Sequence, residues 1–135
     1  MEHPNIDLVK GLYGAYLQGD LDAVTNALAP DVRWHNSGSD PTAGTLEGRD
    51  ATLAYLFADN HLEDYALETT DMLVSDERIA IIARTSGRLG DRRIVNDFVQ
   101  VMHIVDGRIV EVWNYMWDQK GLAEAYAAIA AVAAA

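Results

Sequence analysis

The chain has 135 residues, 21 acidic against 10 basic side chains for a formal net charge of −11, and no cysteine. That length suits one domain with a core of its own, and the lack of cysteine excludes disulfides, thiol nucleophiles and thiolate metal ligands. The acidic excess reads as a solubility feature and disfavours nucleic acid and anionic membranes as partners. No apolar run approaches a bilayer span, and residues 1–7 lack the basic start of a secretory signal. The expectation is a cytoplasmic protein with a single domain over residues 1–135.

Residues 5–18 place Ile6, Leu8, Val9, Leu12, Tyr13, Tyr16 and Leu17 on one helical stripe. Gly11 and Gly14 would let a neighbouring element approach that helix closely. Gly19-Asp20 ends it and opens a second, short helix, with Asp20 as N-cap and Leu21, Val24 and Leu28 facing inward. Pro30-Asp31 stops this helix. Residues 32–36 read as a strand with Val32, Trp34 and Asn36 on one side and His35 on the other. Residues 37–47, punctuated by Gly38, Pro41 and Gly44, read as loop.

Residues 50–59 look helical, with Leu53, Leu56 and Phe57 as the buried stripe. Strands are predicted at 65–74, where Leu67, Thr69, Asp71 and Leu73 alternate, and at 78–88, where residues 79–83 form an apolar run. Arg84 closes that run, so it needs either an internal carboxylate or a ligand group as partner. Residues 93–105 and 108–117 form a hairpin about Asp106-Gly107, a pair that suits a type I′ turn. Asn96, Gln100, His103, Glu111 and Asn114 interrupt its apolar runs, which implies either a wet face or a ligand pocket. A plain two-residue turn puts Glu111, Trp113 and Tyr115 beside Phe98, Gln100 and Met102; a bulge near Val110-Glu111 puts Val112, Asn114 and Met116 there instead. The Ala-rich residues 119–135 read as a last helix that frays or lies across a neighbour. The order α-α-β-α-β-β-β-β-α gives an α+β fold: a curved, mostly antiparallel sheet covered on one face by three helices, closing a cone.

The phrases Trp34-His35-Asn36, Ala43-Gly44-Thr45 and Gly48-Arg49-Asp50-Ala51, with residues 106–111 leading to Trp113 and Asp118, resemble the SnoaL-like polyketide cyclases. These belong to the nuclear-transport-factor-like superfamily with ketosteroid isomerases and limonene epoxide hydrolases, and the resemblance spans roughly residues 5–127. It implies the cone-shaped fold, and it implies roles position by position. Asn36 resembles the isomerases' Asp base and the hydrolases' water-orienting Asn; Trp34 stands where the hydrolases carry Tyr. Arg84 resembles the Arg of their Asp-Arg-Asp set, with Ser86 and Asn114 where its carboxylates would be. The cyclases' Asp after the tryptophan is Asn114 here, and Gln100 lies near the isomerases' protonated Asp. Related folds bend at the last strand, which favours the bulge. Trp113, Tyr115, Trp117, Val99 and Val101 would then form an apolar outer patch, and the resemblance implies that a homodimer covers it.

The expected pocket is apolar and takes a small, carbonyl-bearing hydrophobic molecule of polyketide or steroid-like character. Asn36, Arg84, Asn114 and the strand carboxylate Asp97 are the candidate catalytic residues; Tyr16, Trp34, Phe98, Gln100, Met102 and Met116 are the candidate ligand contacts. No histidine pair has metal-ligand spacing, so neither metal nor cofactor is expected. The leading reading is a cyclase- or isomerase-type enzyme, or an epoxide-hydrolase-like hydrolase. The rivals are a non-catalytic binder that has lost the acid/base residues, and a dimeric interaction domain.

Overall fold

The computed structural model describes residues 2–134. Helix α1 (Pro4–Gln18) opens with proline in its first turn and with the His3 ring accepting from the Asn5 amide. The Asn5 side chain donates to the carbonyl of Asp76, tying the helix to a distant turn. Gly19, at φ 71°, gives the left-handed C-cap that only glycine adopts without cost. Asp20 then caps α2 (Leu21–Ala27) through Ala23 N, as expected. Gly11 and Gly14 touch no neighbouring element, and Leu21 is half exposed, so these two expectations are corrected.

Strand β1 (Leu28–Asn36) begins four residues before the predicted strand. Pro30 does not break it, because β1 pairs irregularly with its neighbour between Leu28 and Arg33 and needs no donor there. The predicted loop contains a short edge strand, β2 (Gly44–Glu47). Helix α3 (Arg49–Leu56), β3 (Glu63–Val74), β4 (Arg78–Leu89), β5 (Arg92–Val105), β6 (Arg108–Met116) and α4 (Gln119–Ala133) follow close to their expected places. Ala135, the last residue of the predicted final helix, lies outside the described residues.

The six strands form one sheet in the order β2-β1-β6-β5-β4-β3, antiparallel except for the β1–β6 pair. Val9, Leu12 and Val24 pack on the inner sheet face against Val32, Ile79, Ile81, Met102, Ile109 and Val112 to form the core. A bulge between Thr69 and Asp71 switches the facing of β3, so Leu67 packs on the core while Leu73 is exposed, against the simple alternation expected. In the hairpin, Asp106 and Gly107 both take positive φ, 52° and 74°, the I′ geometry their sequence implies. His103 pairs with Glu111 and Ile104 with Ile109, so Val110 is the extra residue of a bulge. Phe98, Gln100 and Met102 therefore lie opposite Met116, Asn114 and Val112. Among the described residues no helix is long and apolar enough to cross a membrane.

Candidate functional site

The inner faces of β1, β3, β5 and β6, with Thr85 of β4 and a roof of α1, α3 and α4, form a partly open cavity of about 360 Å³. This lies within the usual size range of small-molecule pockets. Helix α4 does not merely fray: Leu122, Ala125, Tyr126 and Ile129, one stripe of the Ala-rich segment, close part of the wall. The expected contacts Tyr16, Trp34, Phe98, Gln100, Met102 and Met116 all line the cavity, as does the candidate catalytic residue Asn114.

Its polar wall is one directed chain of hydrogen bonds. Tyr13 Oη donates to Gln100 Oε1 (2.7 Å), Gln100 Nε2 to Asn114 Oδ1 (2.8 Å), Asn114 Nδ2 to Asn36 Oδ1 (3.0 Å) and Asn36 Nδ2 to the Thr42 carbonyl (3.0 Å). Trp34 Nε1 also donates to Asn36 Oδ1 (3.1 Å). The direction is forced at one end. An indole N–H only donates and a backbone carbonyl only accepts, so Asn36 can face Trp34 and Thr42 in one orientation alone. Every later amide, and the Tyr13 proton, follows from that choice. Asn36, Gln100 and Asn114 are all buried, and chains of this kind strengthen their members in a low dielectric. Asn36 itself stands just behind the lining and orients Asn114 rather than facing the cavity.

Tyrosines complete the wall. Tyr16 and Tyr65 hydroxyls share a hydrogen bond of 3.2 Å, Phe57 stacks obliquely on Tyr16, and Tyr55 packs on Trp34. Burial pushes the phenols of Tyr13, Tyr55, Tyr65 and Tyr126 above their ordinary values, so they remain protonated hydrogen-bond donors at neutral pH. Sequence reasoning missed Tyr55, Tyr65 and Tyr126, whereas Asn96, one of the polar hairpin residues that pointed to a pocket, does line it. Tyr126 was within reach, four residues after Leu122 on the same helical stripe.

Two expected catalytic residues are elsewhere. Residues alternate along β4 and β5, so Ile81, Ala83 and Phe98 point inward while Arg84 and Asp97 point outward. Arg84 Nε and Nη2 pair with Asp97 Oδ1 (2.7 Å) and Oδ2 (3.1 Å) on the open sheet face. The guanidinium holds the Asp97 carboxyl below its ordinary value, so it stays charged. The pair the sequence left open is thus a solvent-exposed ion pair, and neither group reaches the cavity. Ser86 is buried, but its neighbour Thr85 is the lining residue. His35 also faces outward, as its alternation implied; it stacks on Trp113 and bonds Thr45 Oγ1 and Glu111 Oε2. Among the described residues no three His, Cys, Asp or Glu side chains gather where one ion could be held.

A sequence profile of the SnoaL-like domain matches residues 9–112. The chain belongs to the SnoaL-like domain family. Among solved structures, the SnoaL-like chain is similar to Bal32a, from a soil-derived mobile gene cassette (23% identity, TM-score 0.81, covering 90% of this chain and 95% of that one). It is similar to a protein of unknown function with a cystatin-like fold from Xanthomonas campestris (27%, 0.78, 90% and 96%). It also resembles a protein assigned as a SnoaL-like polyketide cyclase from Jannaschia sp. (16%, 0.74, 95% and 92%). No curated protein matches the SnoaL-like sequence significantly.

Proposed function

We propose that this SnoaL-like protein holds a small, uncharged, hydrophobic molecule bearing a carbonyl group, of polyketide- or steroid-like ring character. One observation carries the reading: apart from the exposed Asp59 at the rim, every polar side chain of the lining is an amide, a hydroxyl or an indole. Such a wall solvates a neutral dipole at little cost but leaves a buried charge without a counterion. Tyr16 and Tyr65 share two protons and one bond, so one phenol proton is available to a carbonyl oxygen. Phe98, Met102 and Met116 offer apolar, adaptable contact to a ring. A cytoplasmic location belongs to the same reading.

The test is a thermal-shift screen of neutral ring ketones, with each hit then followed for turnover. A ligand at 100 times its Kd adds about 2.7 kcal/mol to stability, enough for a shift of several degrees. Ala125→Phe, which fills the cavity from α4, is expected to abolish the shift. Hits whose shift survives Ala125→Phe bind elsewhere and defeat the proposal. Turnover of a hit would favour the second reading, a cyclase- or isomerase-type enzyme. The observation on that side is Asp40, a buried carboxylate next to the lining residue Thr42.

A second copy of this chain is the proposed partner, docked on the open sheet face. Val99, Ile82 and Tyr115 are exposed there beside Trp113, flanked by the Arg84–Asp97 and Arg33–Glu111 pairs. Neighbouring charges of both signs let such a face complement itself about a two-fold axis. Sedimentation is expected to give a dimer that Val99→Lys converts to a folded monomer; a monomeric parent chain would sink this part.

A further inference from the structure

Asp40 lies in the loop between β1 and β2 and is only 6% exposed. Its Oδ1 accepts from the Thr42 backbone N–H (2.7 Å) and from the Thr42 hydroxyl. Its Oδ2 is the one buried side-chain oxygen or nitrogen among the described residues that has no hydrogen-bond partner. The loop is fitted tightly around this oxygen. Gly38, at φ +103°, passes so close that a Cβ there would stand 3.4 Å from Oδ2. Burying a carboxylate with one oxygen unpaired is costly, and a single such group in an otherwise satisfied interior calls for a reason beyond packing.

The consequence for the cavity runs through Thr42, which lines it. A threonine hydroxyl has one proton, and here it is donated to Asp40. What Thr42 offers inward is therefore oxygen lone pairs alone, one of them facing the Tyr126 phenol and the other open to a ligand, both strengthened as acceptors by the carboxylate behind them. Tyr16 and Tyr65 offer the reverse, since one of their two protons is uncommitted. Tyr65 stands on β3, one edge of the sheet, whereas Thr42 leads into β2, the other edge. The Tyr16–Tyr65 pair thus offers a donor near one edge of the sheet, and Thr42 an acceptor near the other, beside the Tyr55 and Tyr126 phenols.

We propose that Thr42, held by Asp40, is the acceptor for a hydroxyl group of the ligand. The cavity then selects hydroxy-ketones, with a phenol, enol or alcohol on the ring as well as a carbonyl, over ketones lacking the hydroxyl. Thr42 is the ligand contact and Asp40 the positioning residue. The inference rests on the cavity-binding reading and narrows its ligand class.

Calorimetric titration with 6-hydroxy-1-tetralone and 6-methoxy-1-tetralone separates the two. The hydroxy compound is expected to bind about tenfold more tightly, the worth of one good hydrogen bond. Thr42→Val is expected to bring the two within about twofold of each other without weakening the methoxy compound, while Thr42→Ser keeps the preference. Asp40→Asn is expected to reduce the preference to about threefold, because an amide polarises the hydroxyl less than a carboxylate does. Equal affinities in the parent protein overturn the acceptor, as does a preference that survives Thr42→Val. A full preference in Asp40→Asn removes Asp40 from the account. Failure of both tetralones to bind overturns the cavity reading itself, a result distinct from equal binding.

Discussion

Replacing Asn36 by leucine destabilises the protein by roughly 3–6 kcal/mol, a large part of the stability of a domain this size. The substitution keeps approximate volume, so the loss is one of polar satisfaction rather than of packing. It orphans three buried groups at once: the Trp34 indole N–H, the Asn114 side-chain N–H and the Thr42 carbonyl. Each unsatisfied buried group costs about 1–3 kcal/mol, and the apolar gain from leucine offsets only part of the sum. Urea unfolding reads the effect as a lower midpoint at unchanged slope. A loss below about 1 kcal/mol would mean that the chain of amides is not closed as described.

The second large effect is a pH-dependent one. Asn114→Asp is expected to cost about 2–4 kcal/mol at pH 7 and progressively less as the pH falls towards 4. An aspartate accepts from Gln100 as the asparagine does, but it has no N–H for Asn36 Oδ1. Asn36 cannot turn its amide to help, because Trp34 and Thr42 hold it. Burial and the facing oxygen therefore raise the carboxyl's folded pKa above its unfolded value of about 3.9. Below that unfolded value both states are protonated, the acid proton can bond Asn36, and the charge penalty is absent. The penalty grows as pH rises through the interval between the two pKa values and is full above the folded one. Unfolding measured from pH 4 to 8 against the parent chain checks this; a gap that does not change with pH would contradict it.

These amides also mark how far the sequence could be read. The long strands and the Asp106-Gly107 turn were legible because each leaves a local signature, in alternation or turn chemistry, whereas the bulge in the last strand was favoured over a plain turn only by the family resemblance. Alternation combined with that bulge put Asn114 and Gln100 on one wall. Strand β2 was not legible: four residues in a loop rich in Gly, Pro and Thr carry no period, and pairing with β1 alone makes them a strand. Leu73 was misplaced because a bulge in β3 leaves no mark in the pattern of side chains. Arg84 was misjudged because its apolar neighbours were counted as a run, although only alternate members of that run face inward. Asp40 left no signal at all. Its burial comes from the loop folding under Gly38 and against α4, a tertiary event with no local pattern.

The family match and the neighbours account for the cone, while the polar wall is read from this chain's own side chains. The acids that the resemblance led one to look for are replaced by a one-way series of neutral donors, anchored by an indole and a carbonyl. In that series each member's hydrogen bond to the next is made within the protein itself.

A paired calorimetric titration shows whether the cavity prefers a neutral ligand to a charged one. The two ligands share one ring system: 6-methoxy-1-tetralone, and the same ring with a carboxylate in place of the carbonyl. The neutral ketone is expected to bind one to one, at least about tenfold more tightly than the anion, and to lose binding in Ala125→Phe. Equal or tighter binding of the carboxylate would mean that the cavity is not a neutral one.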